Sequence, residues 1–92
     1  MALLLDGATA NGAGDTEAMT EPCTVHVGGT FKGARVYLEI GSEDVGPYPI
    51  SGVPAFSGPG QVVIDAVGPY SLRARVDQAG EGTSIFVEAV TA

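Results

Sequence analysis

Apolar and polar residues alternate in the segment Tyr70-Ser71-Leu72-Arg73-Ala74-Arg75-Val76-Asp77, and this pattern predicts the fold of the chain. In a strand the apolar members of this stretch lie on one face and the polar members on the other. The same alternation recurs at residues 23–27 and 34–40, residues 85–90 place apolar residues on both faces of a strand, and residues 61–67 form a fuller apolar run. These five runs predict strands, most of them with one buried and one exposed face.

Glycine and proline leave few segments of this sequence long enough to form a helix. Glycine and proline supply 14 and 6 of the 92 residues, and the longest segments without either, 70–79 and 83–92, have ten residues each. An average helix of about 11–12 residues would therefore have to contain a breaker. The pattern predicts an all-β fold, a small antiparallel β-sandwich or jelly-roll-like domain of six to eight strands.

The turns and the core follow from the same pattern. Short gaps at residues 68–69 and 79–82 predict hairpins, and further strands are expected from residues 3–5 and 48–56. The alternation predicts a core that includes Val36, Leu38, Leu72, Val76, Ile85 and Val87.

The N-terminal part does not follow the alternation. Residues 6–21 contain no Leu, Ile, Val or Phe and carry four acids with no base. We therefore expect an extended N-terminal arm over residues 1–21, followed by a β-sandwich domain over residues 22–92. The apolar tip of this arm consists of Ala2, Leu3, Leu4 and Leu5.

The tip has two possible partners. It can add a strand to the sheet edge of a neighbouring subunit, or it can pair back onto its own sheet. In either case regular alternation would turn Leu3 and Leu5 one way and Leu4 the other.

Charge and composition exclude several functions. Eleven acids against four bases give a net charge of −7, which argues against nucleic-acid binding and against docking on anionic membranes. Cys23 and His26 are the only cysteine and the only histidine, and their spacing places them on opposite faces of a strand. We predict no catalytic residue, no metal ligand and no cofactor. The acids of residues 41–46 lack the alternation of a calcium loop.

A mixed patch is expected if two of the strands are neighbours. Arg35, Tyr37 and Glu39 would then face Arg73 and Arg75 on a polar surface. One interpretation is cross-strand ion pairing on a solvated face, which contributes little stability. The other is a recognition surface, because Arg and Tyr are enriched at protein interfaces.

Two strings of the sequence carry a resemblance. They are Gly29-Thr30-Phe31-Lys32-Gly33-Ala34-Arg35-Val36-Tyr37-Leu38-Glu39 and Gly68-Pro69-Tyr70-Ser71-Leu72-Arg73-Ala74-Arg75-Val76. With the opening at residues 4–14, the chain resembles small β-rich virion proteins of tailed bacteriophages, of the capsid decoration (cement) or head-fibre kind. The resemblance spans most of the chain except residues 41–60.

The resemblance implies a non-enzymatic viral structural protein that binds the outer surface of a phage capsid and bridges neighbouring capsid subunits. The implied partners are the major capsid protein and copies of the chain itself, as a homo-oligomer for which a trimer is one option. The implied location is the virion surface, after assembly in the host cytoplasm, and the lone Cys23 fits such an origin.

Two alternatives remain open: a tail, neck or head-fibre component, and a carbohydrate-binding β-sandwich module. The expected protein-interaction residues are Ala2, Leu3, Leu4, Leu5, Arg35, Tyr37, Arg73 and Arg75.

Overall fold

The fold is all-β, as the sequence pattern predicts. The computed structural model describes residues 2–42, 44–66 and 68–91, and these residues form strands and loops without a helix. Accordingly, no helix in the described ranges is long and apolar enough to span a membrane. The strands are β1 Ala2–Ala8, β2 Gly12–Ala13, β3 Glu17–Met19, β4 Cys23–Thr30, β5 Arg35–Gly41, β6 Tyr48–Pro49, β7 Gly60–Ile64, β8 Tyr70–Asp77 and β9 Ser84–Thr91.

The strands build two antiparallel sheets that pack face to face. One sheet has four strands in the order β1-β9-β4-β7. The other has five strands: β8 lies between β5 and the two short strands β2 and β3, and β6 pairs with the far side of β5. This is a β-sandwich-like arrangement, with the core between the two sheets.

The two expected hairpins are wrong. β7 and β9 belong to the four-stranded sheet, whereas β8 between them belongs to the five-stranded sheet. The short connections at residues 68–69 and 79–82 therefore cross from one sheet to the other. A gap of a few residues can span the roughly 10 Å between packed sheets as readily as it can turn a hairpin, so gap length alone does not identify the partner of a strand.

One close contact between strands requires a glycine. Gly29 in β4 has φ +108°, and a Cβ at this position would clash with the carbonyl oxygen of Ser84 in β9. Any side chain here would push the two paired strands apart.

The predicted core is confirmed. Strand faces that the alternation turns inward are buried on β4, β5, β8 and β9. The six residues expected in the core are each at most 3% exposed: Val36, Leu38, Leu72, Val76, Ile85 and Val87.

The expected extended N-terminal arm is not confirmed. Residues 2–8 form β1 and pair with β9 of the same chain, and residues 12–13 and 17–19 pair with β8. The N-terminal segment thus contributes strands to both sheets. Main-chain hydrogen bonding holds these residues in place although few of them carry large apolar side chains.

Candidate protein-interaction surface

Strands β5 and β8 bring the predicted polar residues onto one surface. They pair in register, with Arg35 opposite Asp77, Tyr37 opposite Arg75 and Glu39 opposite Arg73. Residues directly opposite each other in an antiparallel pair share a face. We call the outward face of these pairs the arginine surface, and it comprises Arg35, Tyr37, Glu39, Arg73, Arg75 and Asp77.

Glu39 anchors the arginine surface. It is only 5% exposed although its side chain points away from the core, because β5 has Arg73 of β8 on one side and Pro49 of β6 on the other. Its carboxylate accepts a hydrogen bond from Arg73 Nε at 2.7 Å and another from Arg75 Nε at 3.3 Å. One buried carboxylate therefore positions two guanidinium groups, through charge-assisted hydrogen bonds.

Arg75 is held from a second direction. Its Cζ lies 4.3 Å from the ring centroid of Tyr37, a cation–π contact. Both arginines bond to Glu39 through Nε, and their terminal Nη groups make no hydrogen bond to any residue that the structure describes. Arg35 is exposed, and it forms no ion pair within the same residues. The surface therefore offers fixed hydrogen-bond donors to a partner.

The charge of this surface differs from that of the rest of the chain. Three arginines against two carboxylates give it a formal charge of +1, so the remaining residues of the −7 chain carry −8. Lys32 is the only base outside it. The arginine surface therefore attracts carboxylate groups, whereas the chain as a whole repels polyanions.

The four predicted N-terminal interaction residues do not share one surface. Leu3 is 56% exposed, whereas Leu4 and Leu5 are 3% and 8% exposed and belong to the core. A register shift between Leu3 and Leu5 turns two consecutive leucines inward. The expected alternation of these leucines is therefore wrong, and Ala2, half-buried, lies at the start of the strand.

Cys23 and His26 lie on opposite faces of β4, as predicted. Cys23 is buried and His26 is exposed. The hydroxyl of Tyr70 donates to the carbonyl oxygen of Glu21 at 2.7 Å and lies 3.5 Å from Cys23 Sγ. Burial, together with the hydrogen bond to Cys23, raises the pKa of Tyr70 above its ordinary value of 10.0. Cys23 thus has a packing role, next to a tyrosine that is held in its neutral form.

The structure describes one of the two acids in the loop at residues 41–46. Asp44 is exposed, and Glu43 lies outside the described residues. Across residues 2–42, 44–66 and 68–91, no three His, Cys, Asp or Glu side chains gather as metal ligands would.

A second surface, which is not among the predicted sites, lies on the outer face of the four-stranded sheet. Val63 of β7 is 65% exposed and Phe86 of β9 is 45% exposed, and Leu3 of β1 lies on the same sheet. The signal for it is that residues 61–67 and 85–90 carry apolar side chains on both faces of a strand, which in a two-layer fold leaves some of them facing outward.

Comparison with known protein families, with curated proteins and with solved structures finds no match to this chain. The fold and the surface therefore define only a class: a small antiparallel β-sandwich with an ordered arginine surface on one sheet.

Proposed function

We propose that this protein is a non-enzymatic virion structural protein that binds the outer surface of a bacteriophage capsid and bridges neighbouring capsid subunits. The observation that carries the proposal is the arginine surface, in which buried Glu39 and Tyr37 hold two arginines in place. The sequence resemblance to tailed-phage virion proteins is the reason for proposing a phage capsid as the partner.

The chemistry of the arginine surface suits recognition of a protein. Arg and Tyr are enriched among the residues that dominate binding energy at interfaces. Because Arg73 and Arg75 are already ordered, binding costs less side-chain entropy than it would for free arginines. The charge of −8 on the rest of the chain disfavours packaged DNA as a competing ligand.

The non-enzymatic part of the proposal is supported by how the reactive side chains are distributed. A cysteine nucleophile needs a base within hydrogen-bond reach, but Cys23 and His26 face opposite sides of β4. The buried carboxylate of Glu39 is engaged by two arginines, which suits a structural role better than proton transfer.

The aromatic residues favour protein binding over the carbohydrate-binding alternative. A glycan platform needs exposed aromatic rings side by side. Tyr70 is buried, Arg75 covers Tyr37, and the exposed Tyr48 and Phe86 belong to different sheets. A tail, neck or head-fibre component could use the same arginine surface, and it differs from a decoration protein only in where it attaches.

Co-sedimentation with phage heads that lack this protein tests the proposal. We expect Arg75→Ala to weaken attachment by roughly tenfold or more, as expected for an interface hot spot. Lys32→Ala is the matched control, since it removes one positive charge from outside the arginine surface. Equal losses for both variants, or no co-sedimentation of the unaltered chain, would contradict capsid binding. Labelling of tails or necks instead of heads on intact particles would favour the alternative.

A further inference from the structure

The four sheet edges differ in how well they are protected against pairing with another chain. Natural edge strands are protected by bulges, charges, prolines or shortness. β1 has two register shifts and carries Asp6. β2 and β3 are two and three residues long, and β6 has two residues, one of which is Pro49.

β7 has none of these protections. Its five residues, Gly60–Ile64, include no charge and no proline, and they pair with β4 in uninterrupted register from Cys23↔Ile64 to Val27↔Gly60. Gln61 and Val63 are exposed. Within the described part of the chain, β7 makes main-chain hydrogen bonds to β4 alone. The free side of this strand is therefore a template for one more strand.

An apolar groove lies beside this edge. It has a volume of about 220 Å³ and lies between residues 52–56 and the side chains of Gln61 and Val62. Val62 is opposite the fully buried Val25 and so points to the inner face, but at the edge it stays half-buried. A further strand would cover Val62 and the mouth of the groove.

We propose that β7 pairs antiparallel with β7 of a second copy of this chain, about a two-fold axis at Val62. In this register Val62 meets Val62 of the second copy on the inner face, and Gln61 meets Val63 on the outer face. The two four-stranded sheets become one continuous sheet of eight strands.

β7 suits a second copy of the chain because the strand carries no charge and is complementary to itself. Two chains of net charge −7 repel each other over most of their surfaces, and β7 is an edge at which they meet without opposed charges. The pairing is self-complementary, as an interface with two-fold symmetry requires. It also leaves the arginine surface free, because that surface belongs to the other sheet.

The pairing of two β7 strands does not depend on the proposed capsid binding. The two interactions can be told apart because salt affects them in opposite directions. Screening weakens contacts between arginines and carboxylates, but it relieves the repulsion between two acidic chains. We therefore expect salt to strengthen self-association and to weaken attachment to capsids.

Sedimentation equilibrium with paired charge variants tests the proposal. A single strand pair is small beside the roughly 1,200–2,000 Å² of stable complexes, so we expect a weak dimer, measured at about 0.1–1 mM protein. Gln61→Glu/Val63→Glu places like charges opposite each other at two symmetry-related positions and should weaken the dimer by roughly tenfold. Gln61→Lys/Val63→Lys should do the same. A mixture of the two variants should restore the dimer.

The matched control is Leu3→Glu/Phe86→Glu. It adds the same two charges to the same sheet at exposed positions away from β7, and it should leave dimerisation close to that of the unaltered chain. Hydrogen exchange of the β7 amides needs no variant, and their protection should rise with protein concentration.

Three outcomes would overturn the proposal. They are an unaltered chain that stays monomeric at every concentration and salt, equal weakening by the control, and no restoration in the mixture. If the chain stays monomeric while the Glu variant loses attachment to particles, the edge binds a strand of the particle instead of a second copy.

Discussion

Tyr70 shows how a single residue connects the two sheets. It begins β8 of the five-stranded sheet, and its hydroxyl donates to the carbonyl oxygen of Glu21, two residues before β4 of the other sheet begins. Burial is the largest cause of the rise in the pKa of Tyr70, and the hydrogen bond to Cys23 adds to it. The folded state therefore favours the neutral phenol.

This residue gives stability a dependence on alkaline pH. Because the pKa of Tyr70 is raised on folding, its contribution is complete below the ordinary pKa of 10.0 and is lost as the pH rises above that value. Tyr70→Phe should cost about 1 kcal/mol of unfolding free energy at neutral pH, through the lost hydrogen bond. It should also flatten the decline above about pH 10.

Urea unfolding of both proteins at neutral and alkaline pH measures these effects. Parallel declines of the two proteins above pH 10.0 would show that Tyr70 is not the responsible group.

At the scale of the element, β1 shows what a bulge changes. The register shift between Leu3 and Leu5 lets Leu4 and Leu5 both enter the core, while Leu3 remains outside. Each buried leucine contributes roughly 1.5–3 kcal/mol by removal of apolar area from water. The first strand is therefore part of the core of this chain.

Two alanine substitutions in β1 form a matched pair. Leu4→Ala should lower the free energy of unfolding by about 2–5 kcal/mol, because it leaves a cavity between the sheets. Leu3→Ala should change it by less than about 0.5 kcal/mol, because this side chain is exposed. Thermal and urea unfolding give both values. Similar losses for the two variants would mean that the bulge does not orient the leucines as described.

At the scale of the whole molecule, the first and last strands are neighbours. Ala2 of β1 pairs with Ala89 of β9, and β9 lies between β1 and β4 in the sheet. The four-stranded sheet can therefore be completed only after the last residues join it. Closing so long a segment costs entropy before the contacts form.

This topology predicts slow folding. We expect folding in milliseconds to seconds, in the range of about 1 ms to 1 s typical of sandwiches with non-local pairing. A circular permutant that joins residues 91 and 2 and opens the chain at the exposed Ser51–Gly52 bond turns β9 and β1 into a local hairpin. It should fold faster, by roughly tenfold. Stopped-flow refolding measures both rates, and equal rates would show that closure of the termini does not limit folding.

The fold class and most of the core could be predicted from the sequence. The period of two in residues 70–77 and 34–40 determines which side chains face the same way, and burial of one face follows from that. The absence of long segments without glycine or proline excluded helices. Arg35, Tyr37, Arg73 and Arg75 were predicted to share a surface provided that β5 and β8 are neighbours.

Which strands pair depends on contacts between residues that are remote in sequence. Alternation assigns residues to the two faces of a strand but does not identify the neighbouring strands. The short turns before and after β8 are compatible with hairpins and with crossings between the sheets. In the structure both turns cross between the sheets. The bulge in β1 and the burial of Glu39 between Arg73 and Arg75 likewise depend on partners remote in sequence. The order of residues along each strand therefore fixes which side chains share a face and whether that face is apolar. The pairing of distant strands decided where those faces lie and which edge, β7, is left open.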